Sequence, residues 1–417
     1  MSEKQGRIIG IRHRIKRTKK EGVARPTQIA VWEAGEITTF KLEDETAELE
    51  WVKGTGQNKS EGLRPNDTVL MVLGGSGDYL AFAISRQGEK TKARILRVAP
   101  PNLKEFRGHD DKEDDAQVLI NLYQQDPTLF RPVGHKERDF IRAAVLYRSL
   151  SDAMKARIAC EQRIFQQLVG EIFCQENGLF PEGGIERAFK ETKANDQIFQ
   201  NLVTEEKRRE KALEKALGNI PIYDKIREQV DGFGPRIAGR LLVAIGDINR
   251  FPTTTRRDGG ITHGKAKLKA YTGVGLTKDG KFRRRRGGEV ANWSNECRQA
   301  LFLLADQFNR RPDTEWGKKL LEFKSKLKEK HPVPICKNCS HDDQEVPFSK
   351  ECKKAKHKMS WNDGHILTTA KWKTVTKFIE WLWREWTRLE NSEQPALPKR
   401  SRVRGEKDDT PELRESI

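Results

Sequence analysis

The stretch Val230-Asp-Gly-Phe-Gly-Pro-Arg-Ile-Ala-Gly-Arg-Leu-Leu-Val-Ala-Ile245 carries the clearest local signal in the chain. An apolar helix end meets Gly232 and Gly234, and Pro235 is a favoured first residue for the helix that follows. Glycines allow positive φ and let a phosphate approach bare backbone, while the N–H groups that open the second helix attract an anion. The stretch predicts a helix-hairpin-helix element that binds a DNA backbone through Gly232, Gly234 and Arg236. An ordinary helical turn is the alternative.

A basic run follows this hairpin. Between Arg256 and Arg286 the sequence holds eleven basic residues and only two acidic ones. Such a run is common in solvated loops, but beside a phosphate-binding turn it is suited to follow a nucleic-acid backbone. The predicted DNA contacts in it are four consecutive arginines, Arg283, Arg284, Arg285 and Arg286.

The composition of the whole chain agrees with a polyanionic partner. Lys and Arg total 79 against 61 Asp and Glu in 417 residues, a formal net charge of +18. This surplus attracts nucleic acid, or it serves solubility alone. No stretch approaches the roughly 18 consecutive apolar residues of a membrane span, and the polar N-terminus lacks the apolar core of a signal peptide. Six cysteines without such a signal predict reduced thiols or metal ligands, so we expect a cytoplasmic protein with no membrane partner.

The first 133 residues alternate strand-like and helix-like runs. Their order, three strands followed by alternating helices and strands, predicts a mixed sheet with helices on its faces, as in ribonuclease-H-like domains. The predicted strands are 8–14, 27–33, 36–42, 68–73 and 93–98. The predicted helices are 45–53, a short helix from Tyr79 and a helix that begins near Asp111.

The rest of the chain is predicted to be helical, which makes the fold class α/β plus all-α. Residues 134–229 keep an apolar stripe at helical spacing, typical of an antiparallel hairpin, a dimerising coiled coil or a linker that packs on its own chain. Residues 230–388 form a mostly helical C-terminal domain, and residues 389–417 a disordered tail. Near the end of that domain, one predicted helix-core stripe comprises Trp372, Val375, Ile379, Leu382 and Trp386.

A group of cysteines and a histidine has metal-ligand spacing. A Cys-x2-Cys pair is followed by one more cysteine and a histidine across a short loop, which can give tetrahedral Zn²⁺ coordination with a structural role. Three free thiols on the surface are the alternative. The predicted ligands are Cys336, Cys339, Cys352 and His357, with His341 and His365 in reserve.

Several of these segments together resemble a family of insertion-sequence transposases. The family has an N-terminal DEDD domain and a C-terminal serine domain, and its members are also called bridge-RNA-guided recombinases. The resemblance covers about residues 5–388 in order and is most specific in the C-terminal domain, residues 230–388. It is carried by the stretch from Val230, by Leu241-Leu-Val-Ala-Ile-Gly-Asp-Ile-Asn-Arg-Phe251, by Leu268-Lys-Ala-Tyr-Thr-Gly273, by Arg298-Gln-Ala-Leu301 and by the helix of Asp114-Asp115-Ala116.

This resemblance implies an activity and a set of partners. In the family, four acids on the ribonuclease-H-like sheet hold Mg²⁺ and a serine attacks DNA. It further implies binding to DNA and to a structured guide RNA, and a homo-oligomer formed through the central helices. The catalytic candidates at or near the family positions here are Asp115, Asp111, Asp78 and Thr277.

The sequence departs from the family pattern at the catalytic positions. Arg12, Gly74 and Lys112 stand where three of the four acids are expected, and no serine occurs between residues 271 and 286. A cation at position 12 would repel Mg²⁺ and could itself take the place of the metal as a fixed positive charge.

Three hypotheses follow from this pattern. The first is a transposase-like DNA recombinase that uses Mg²⁺ when active. The second is a catalytically inactive relative that binds DNA or RNA as a regulator or accessory protein. The third, a structure-selective nuclease, needs a carboxylate near the first strand, and Glu33 is the only remote option.

Overall fold

Alternating apolar residues near the N-terminus form a six-stranded mixed sheet. The computed structural model describes residues 6–15, 23–55, 62–72, 77–176, 181–255, 259–276, 282, 293–340 and 344–393. In sheet order the strands are β3, β2, β1, β4, β5 and β6; β1 pairs antiparallel with β2 and parallel with β4, and β6 pairs antiparallel with β5. Their bounds are β1 Ile8–Arg12, β2 Thr27–Glu33, β3 Glu36–Leu42, β4 Thr68–Val72, β5 Arg94–Val98 and β6 Phe130–Pro132.

Helices cover both faces of this sheet because successive strand residues point to opposite sides. Ile9 and Ile11 of β1 share one buried cluster with α1 and α2, whereas Ile8 belongs to the cluster on the other face with α3 and α4. On that second face α4 lies so close to β1 that a Cβ at Gly10 would be 1.9 Å from the Ala116 carbonyl oxygen. The helices are α1 Glu45–Lys53, α2 Asp78–Thr91, α3 Pro100–Arg107 and α4 Asp115–Gln125.

The structure corrects two of the predicted elements in this region and adds two that were not predicted. The helix predicted to begin near Asp111 begins at Asp115, and the helix predicted to be short, α2, has 14 residues. The sequence analysis did not predict α3 or β6. Strand β6 has only three residues, which is too short for an alternation pattern to be visible.

Three helices follow the sheet, and the second and third run antiparallel to the first. They are α5 His135–Phe173, α6 Gly184–Asn195 and α7 Gln197–Leu217. The contacts show this direction. Lys193 of α6 pairs with Glu161, in the later part of α5, whereas Arg209 of α7 donates to Ser149, in its earlier part. This packing uses a single chain; the dimerising coiled coil stays a prediction.

The C-terminal helices build the largest buried cluster, to which α5 and α7 also contribute. Residues on both sides of position 230 therefore share one core. Val375, Ile379, Leu382 and Trp386 of the predicted stripe are buried in it, and Trp372 lies at its edge. The helices are α8 Pro221–Gln229, α9 Pro235–Ile245, α10 Gly264–Tyr271, α11 Asn295–Arg310, α12 Glu315–Lys330, α13 Lys350–Lys354 and α14 Asp363–Glu393.

Two small hairpins complete the described chain, β7 Thr254–Thr255 with β8 Ile261–Thr262, and β9 Ile335–Cys336 with β10 Met359–Ser360. The last helix continues to Glu393, beyond the predicted start of the tail at residue 389; residues 394–417 lie outside the described residues. Within the described ranges, no helix is long and apolar enough to cross a membrane.

Candidate functional sites

The three carboxylates predicted to bind Mg²⁺ are each paired with an arginine. We call the region of Asp78, Asp115 and their arginines the sheet edge. Asp115, the first residue of α4, accepts a hydrogen bond from Nη1 of Arg107, and both side chains are less than 10% exposed. Asp78, the first residue of α2, accepts from Nη2 of Arg97 at 2.6 Å. Each of these two carboxylates therefore already has a buried cationic partner.

Asp111 does not belong to the helix of Asp115, although a helix was predicted to begin near it. It precedes α4, whose N-cap is Asp114, so the spacing of four residues does not place the two carboxylates together. Its carboxylate is 65% exposed and lies 3.6 Å from Nη1 of Arg25. A backbone hydrogen bond from Glu113 lowers the pKa of Asp111, so this acid is stabilised as a solvated anion.

Arg12 is buried on the same face of the sheet as α4. Its Nε donates to Oε1 of Gln28 at 3.2 Å, and its Nη1 is buried without a hydrogen-bond partner among the described residues. Burial lowers the pKa of Arg12, and the negative charges of Glu113 and Asp115 oppose this effect. A buried guanidinium near Asp115 supplies the positive charge that a cation would otherwise bring.

These residues do not fit a Mg²⁺ site. In the part of the chain that the structure describes, Asp78, Asp111 and Asp115 do not gather into a ligand group. Burial raises the pKa of Asp115, and the guanidinium of Arg107 opposes this rise. Gly74 and Thr277 lie outside the described residues.

The predicted glycine hairpin joins α8 to α9. Gly232 has φ +83°, a backbone conformation that residues with a side chain rarely adopt. A Cβ at this position would lie 2.7 Å from Cβ of Gln307 on α11. Gly234 is the N-cap of α9 with extended backbone, and a Cβ there would meet no atom within 4 Å. The first glycine is therefore required by the fold of this chain, and only the second leaves open space beside the start of α9.

Arg236 is held by α7. Its guanidinium donates to both carboxylate oxygens of Glu210, at 2.9 and 2.6 Å, and lies 2.8 Å from Glu206. The bond to Glu210 raises the pKa of Arg236 against the effect of burial. This side chain thus ties α9 to α7, a structural contact that the sequence analysis did not foresee for a predicted DNA-binding residue. The other predicted contacts, Arg283 to Arg286, lie outside the described residues.

The predicted zinc ligands gather into one cluster, which the hairpin of β9 and β10 and the short helix α13 assemble. All four ligand atoms lie within 4.8 Å of one another. Nδ1 of His357 is 3.5 Å from Sγ of Cys336 and 3.3 Å from Sγ of Cys339, and the sulfurs of Cys339 and Cys352 are 3.9 Å apart. A tetrahedral Zn²⁺ with bonds of about 2.0–2.3 Å needs ligand separations of roughly 3.3–3.8 Å. The cluster can therefore hold a metal such as zinc.

The thiol of Cys352 in this cluster has a lowered pKa. Ser349 caps α13 and hydrogen-bonds to Cys352, and these bonds lower the pKa of Cys352 to about 6. The neighbouring thiol of Cys336 raises the pKa of Cys339 to about 11. Because a metal binds thiolates, a thiol that ionises near neutral pH favours the first bond to the ion.

Lysines surround the cluster of Cys and His side chains. We call residues 335–360, which include all four predicted ligands, the knuckle. All six lysines are exposed, and in the described part of the chain none is paired with a carboxylate. One lies in the turn between Cys336 and Cys339, three lie on α13, and two flank His357. They are Lys337, Lys350, Lys353, Lys354, Lys356 and Lys358.

His365, one of the two reserve histidines, is not a ligand in the described structure. His365 accepts a hydrogen bond from the Trp361 backbone at 3.0 Å, and its ring stacks on Trp361 with 4.6 Å between centroids. His331 stacks on the same indole at 3.7 Å. This sandwich, at the junction of the knuckle with α12 and α14, was not predicted, because its three rings come from separate elements. His341 lies outside the described residues.

No model of a known protein family matches the chain, and no curated protein sequence matches it. The function is therefore inferred from the residues of the sheet edge, the glycine hairpin and the knuckle.

Proposed function

We propose that this chain is a catalytically inactive nucleic-acid-binding protein, related to the insertion-sequence transposases, that acts as a regulator or accessory factor. The observation that carries the proposal is the pairing of Asp115 with Arg107 and of Asp78 with Arg97. A carboxylate that neutralises a buried arginine is not available to a metal, because its release would leave the arginine charge unpaired. This pairing is our reason for preferring an inactive protein to a metal-dependent recombinase.

The strand arrangement supports the proposed ancestry. An antiparallel unit of β3, β2 and β1 continues into parallel β4 and β5, which is the order expected of a ribonuclease-H-like sheet, with β6 as an addition. The helices α5 to α7 stand where the family's coiled coil is expected. Exposed Ile158 and Phe165, seven residues apart on α5, support a homo-oligomer through these helices.

Two described surfaces support binding to nucleic acid. The knuckle carries six exposed lysines against four acidic residues, Asp342, Asp343, Glu345 and Glu351. In the described part of the chain none of these lysines is paired with a carboxylate, and exposed cations gain affinity by releasing counterions from phosphates. The glycine hairpin adds an open helix N-terminus at Gly234. We take DNA as the partner, with a structured guide RNA as a further candidate from the family resemblance.

A zinc ion in the knuckle would have a structural role. Three thiolates and one imidazole complete a tetrahedral set, which leaves no open position for a substrate or an activated water. Cys336, Cys339, Cys352 and His357 would hold the ion and thereby fix the loop on which the lysines lie.

DNA binding is tested by fluorescence anisotropy on a labelled duplex at several salt concentrations. We expect Lys353→Ala with Lys356→Ala to weaken binding and to reduce the salt slope by up to about 2, since each lost phosphate contact removes about 0.9. Lys155→Ala with Lys190→Ala is the matched control, because it removes the same charge from lysines of α5 and α6 that are each paired with a carboxylate on their own helix. Equal effects of the two double variants would contradict a knuckle interface.

The alternative, an active recombinase, is tested by Mg²⁺-dependent strand cleavage and strand transfer. We expect no activity above that of a protein-free reaction. Cleavage by the wild-type chain that is lost in both Asp115→Ala and Thr277→Ala would contradict the proposal and restore the recombinase hypothesis.

A further inference from the structure

Aromatic rings and an arginine form a continuous surface where α11 meets α14. Cζ of Arg298 lies 5.1 Å from the ring centroid of Trp293 and 4.7 Å from that of Trp372, so the guanidinium is held between two indoles. One turn along α11, the ring centroid of Phe302 is 6.4 Å from that of Trp372. We call Trp293, Arg298, Phe302 and Trp372 the aromatic platform.

The platform is fixed from behind, and one of its rings is exposed. Nη1 of Arg298 donates to the Gly273 carbonyl at 2.8 Å, and Trp372 packs at the edge of the large C-terminal core. Phe302, by contrast, is 46% exposed. A ring that is already held in place loses little conformational freedom when a planar ligand stacks on it, so this arrangement favours binding.

The charge of the platform is positive. Both carboxylates on α11 are neutralised, since Glu296 pairs with Arg240 at 3.0 Å and Asp306 pairs with Lys371 at 2.5 Å. Arg298 has no carboxylate partner in the described part of the chain. The surface therefore combines exposed aromatic area with one cation that is not neutralised by a protein acid.

We propose that the aromatic platform binds an unpaired base of a single-stranded nucleic acid, by stacking on Phe302 beside the cation of Arg298. This inference rests on the proposed function and names a second kind of partner structure for it, a single strand. Exposed aromatic rings next to arginine are suited to this role because every base offers a π-face and its phosphates carry the opposite charge. Duplex DNA, whose bases are already stacked, cannot use the ring.

A second copy of the chain is a less suitable occupant of this surface. In a two-fold symmetric contact the same patch faces itself, so the Arg298 guanidinium of one copy would approach that of the other without a neutralising acid. Nucleic acid supplies the negative charge that such a contact lacks. The test below distinguishes the two occupants.

The experiment compares a fluorescein-labelled single-stranded 20-mer, which is longer than the roughly 4–16 nucleotides of a typical single-strand site, with its blunt duplex. Full-length Phe302→Ala is measured with Phe302→Tyr, which keeps a stacking ring, and with Leu303→Ala, which truncates the next exposed apolar residue of α11. We expect Phe302→Ala to weaken single-strand binding by about 5- to 140-fold, with the duplex affinity unchanged. Phe302→Tyr and Leu303→Ala should bind the single strand as the wild type does.

Each other result has a definite meaning. Equal losses for single strand and duplex, or no loss in Phe302→Ala, would overturn the platform while leaving the proposed function intact. Loss of a dimer in sedimentation velocity, without a change in single-strand binding, would assign the surface to a second copy and also overturn it. A wild-type chain that binds neither oligonucleotide would contradict the proposed function itself.

Discussion

Replacing Asp115 by asparagine separates an ion pair from a metal site, because the two predict changes of opposite sign. Asp115 and Arg107 are 7% and 5% exposed, and Arg12 is buried nearby with an unpartnered Nη1. The Asp115→Asn change keeps the shape but leaves the charge of Arg107 buried and unpaired, which typically costs about 3–5 kcal/mol. In a cluster of Mg²⁺ ligands without the ion, the same change would relieve repulsion between carboxylates and would be neutral or stabilising.

Differential scanning calorimetry of the full chain, in EDTA and in excess MgCl₂, measures this difference. At roughly 2–4 °C per kcal/mol, we expect Asp115→Asn to lower the Tm of the first transition by about 6–20 °C in both buffers. Asp111→Asn is the control, since its carboxylate is exposed and solvated, and its Tm should equal that of the wild type. The ion-pair interpretation would be refuted by two results together: Asp115→Asn is as stable as the wild type in EDTA, and Mg²⁺ raises the Tm of the wild type but not that of the variant.

Three further changes test the knuckle, the hairpin and the sheet. Cys352→Ser should remove about one equivalent of zinc by mass spectrometry of metals, whereas Cys174→Ser, an exposed thiol outside the cluster, should retain it. Gly232→Ala should destabilise the chain by about 1–3 kcal/mol in urea unfolding, because its φ is positive, and Gly234→Ala by less than about 1. Burial opposes ionisation of Glu48, but hydrogen bonds from its neighbours lower its pKa below the usual 4.5. The ionised carboxylate should therefore stabilise the fold fully above pH 4.5 and lose this contribution at lower pH. In Glu48→Gln we expect the free energy of unfolding to depend less on pH in this acid range.

The parts of the fold that the sequence predicted well are those set by local pattern. Strands 27–33 and 36–42 alternate and are joined by a two-residue turn, and the structure confirms both bounds. The helix 45–53 also matches, since Asp44 accepts a hydrogen bond from the backbone of its first turn and Gly54 ends it in a left-handed conformation. The Cys and His spacing predicted the cluster for the same reason, because its ligands lie within one short stretch.

The ion pairs at the sheet edge were not predicted, because they depend on which elements the fold brings together. Arg97 lies on β5, and its partner Asp78 opens α2. Arg107 ends α3, a helix that the sequence analysis missed, so its position beside Asp115 had no local signal. The aromatic platform has the same origin, since Trp372 was expected only as a member of a core stripe.

Two groups of cations in the described part of the chain therefore lie in different environments. At the sheet edge Arg97 and Arg107 are buried against carboxylates, so their charge is used inside the fold. On the knuckle the exposed lysines lack such partners in the described chain, and their charge is directed to solvent. Buried pairs contribute little to the external field, whereas exposed unpaired cations attract phosphates in a salt-dependent manner. We therefore expect the proposed nucleic-acid partner to bind the knuckle and the aromatic platform rather than the sheet, whose cations are neutralised within the fold.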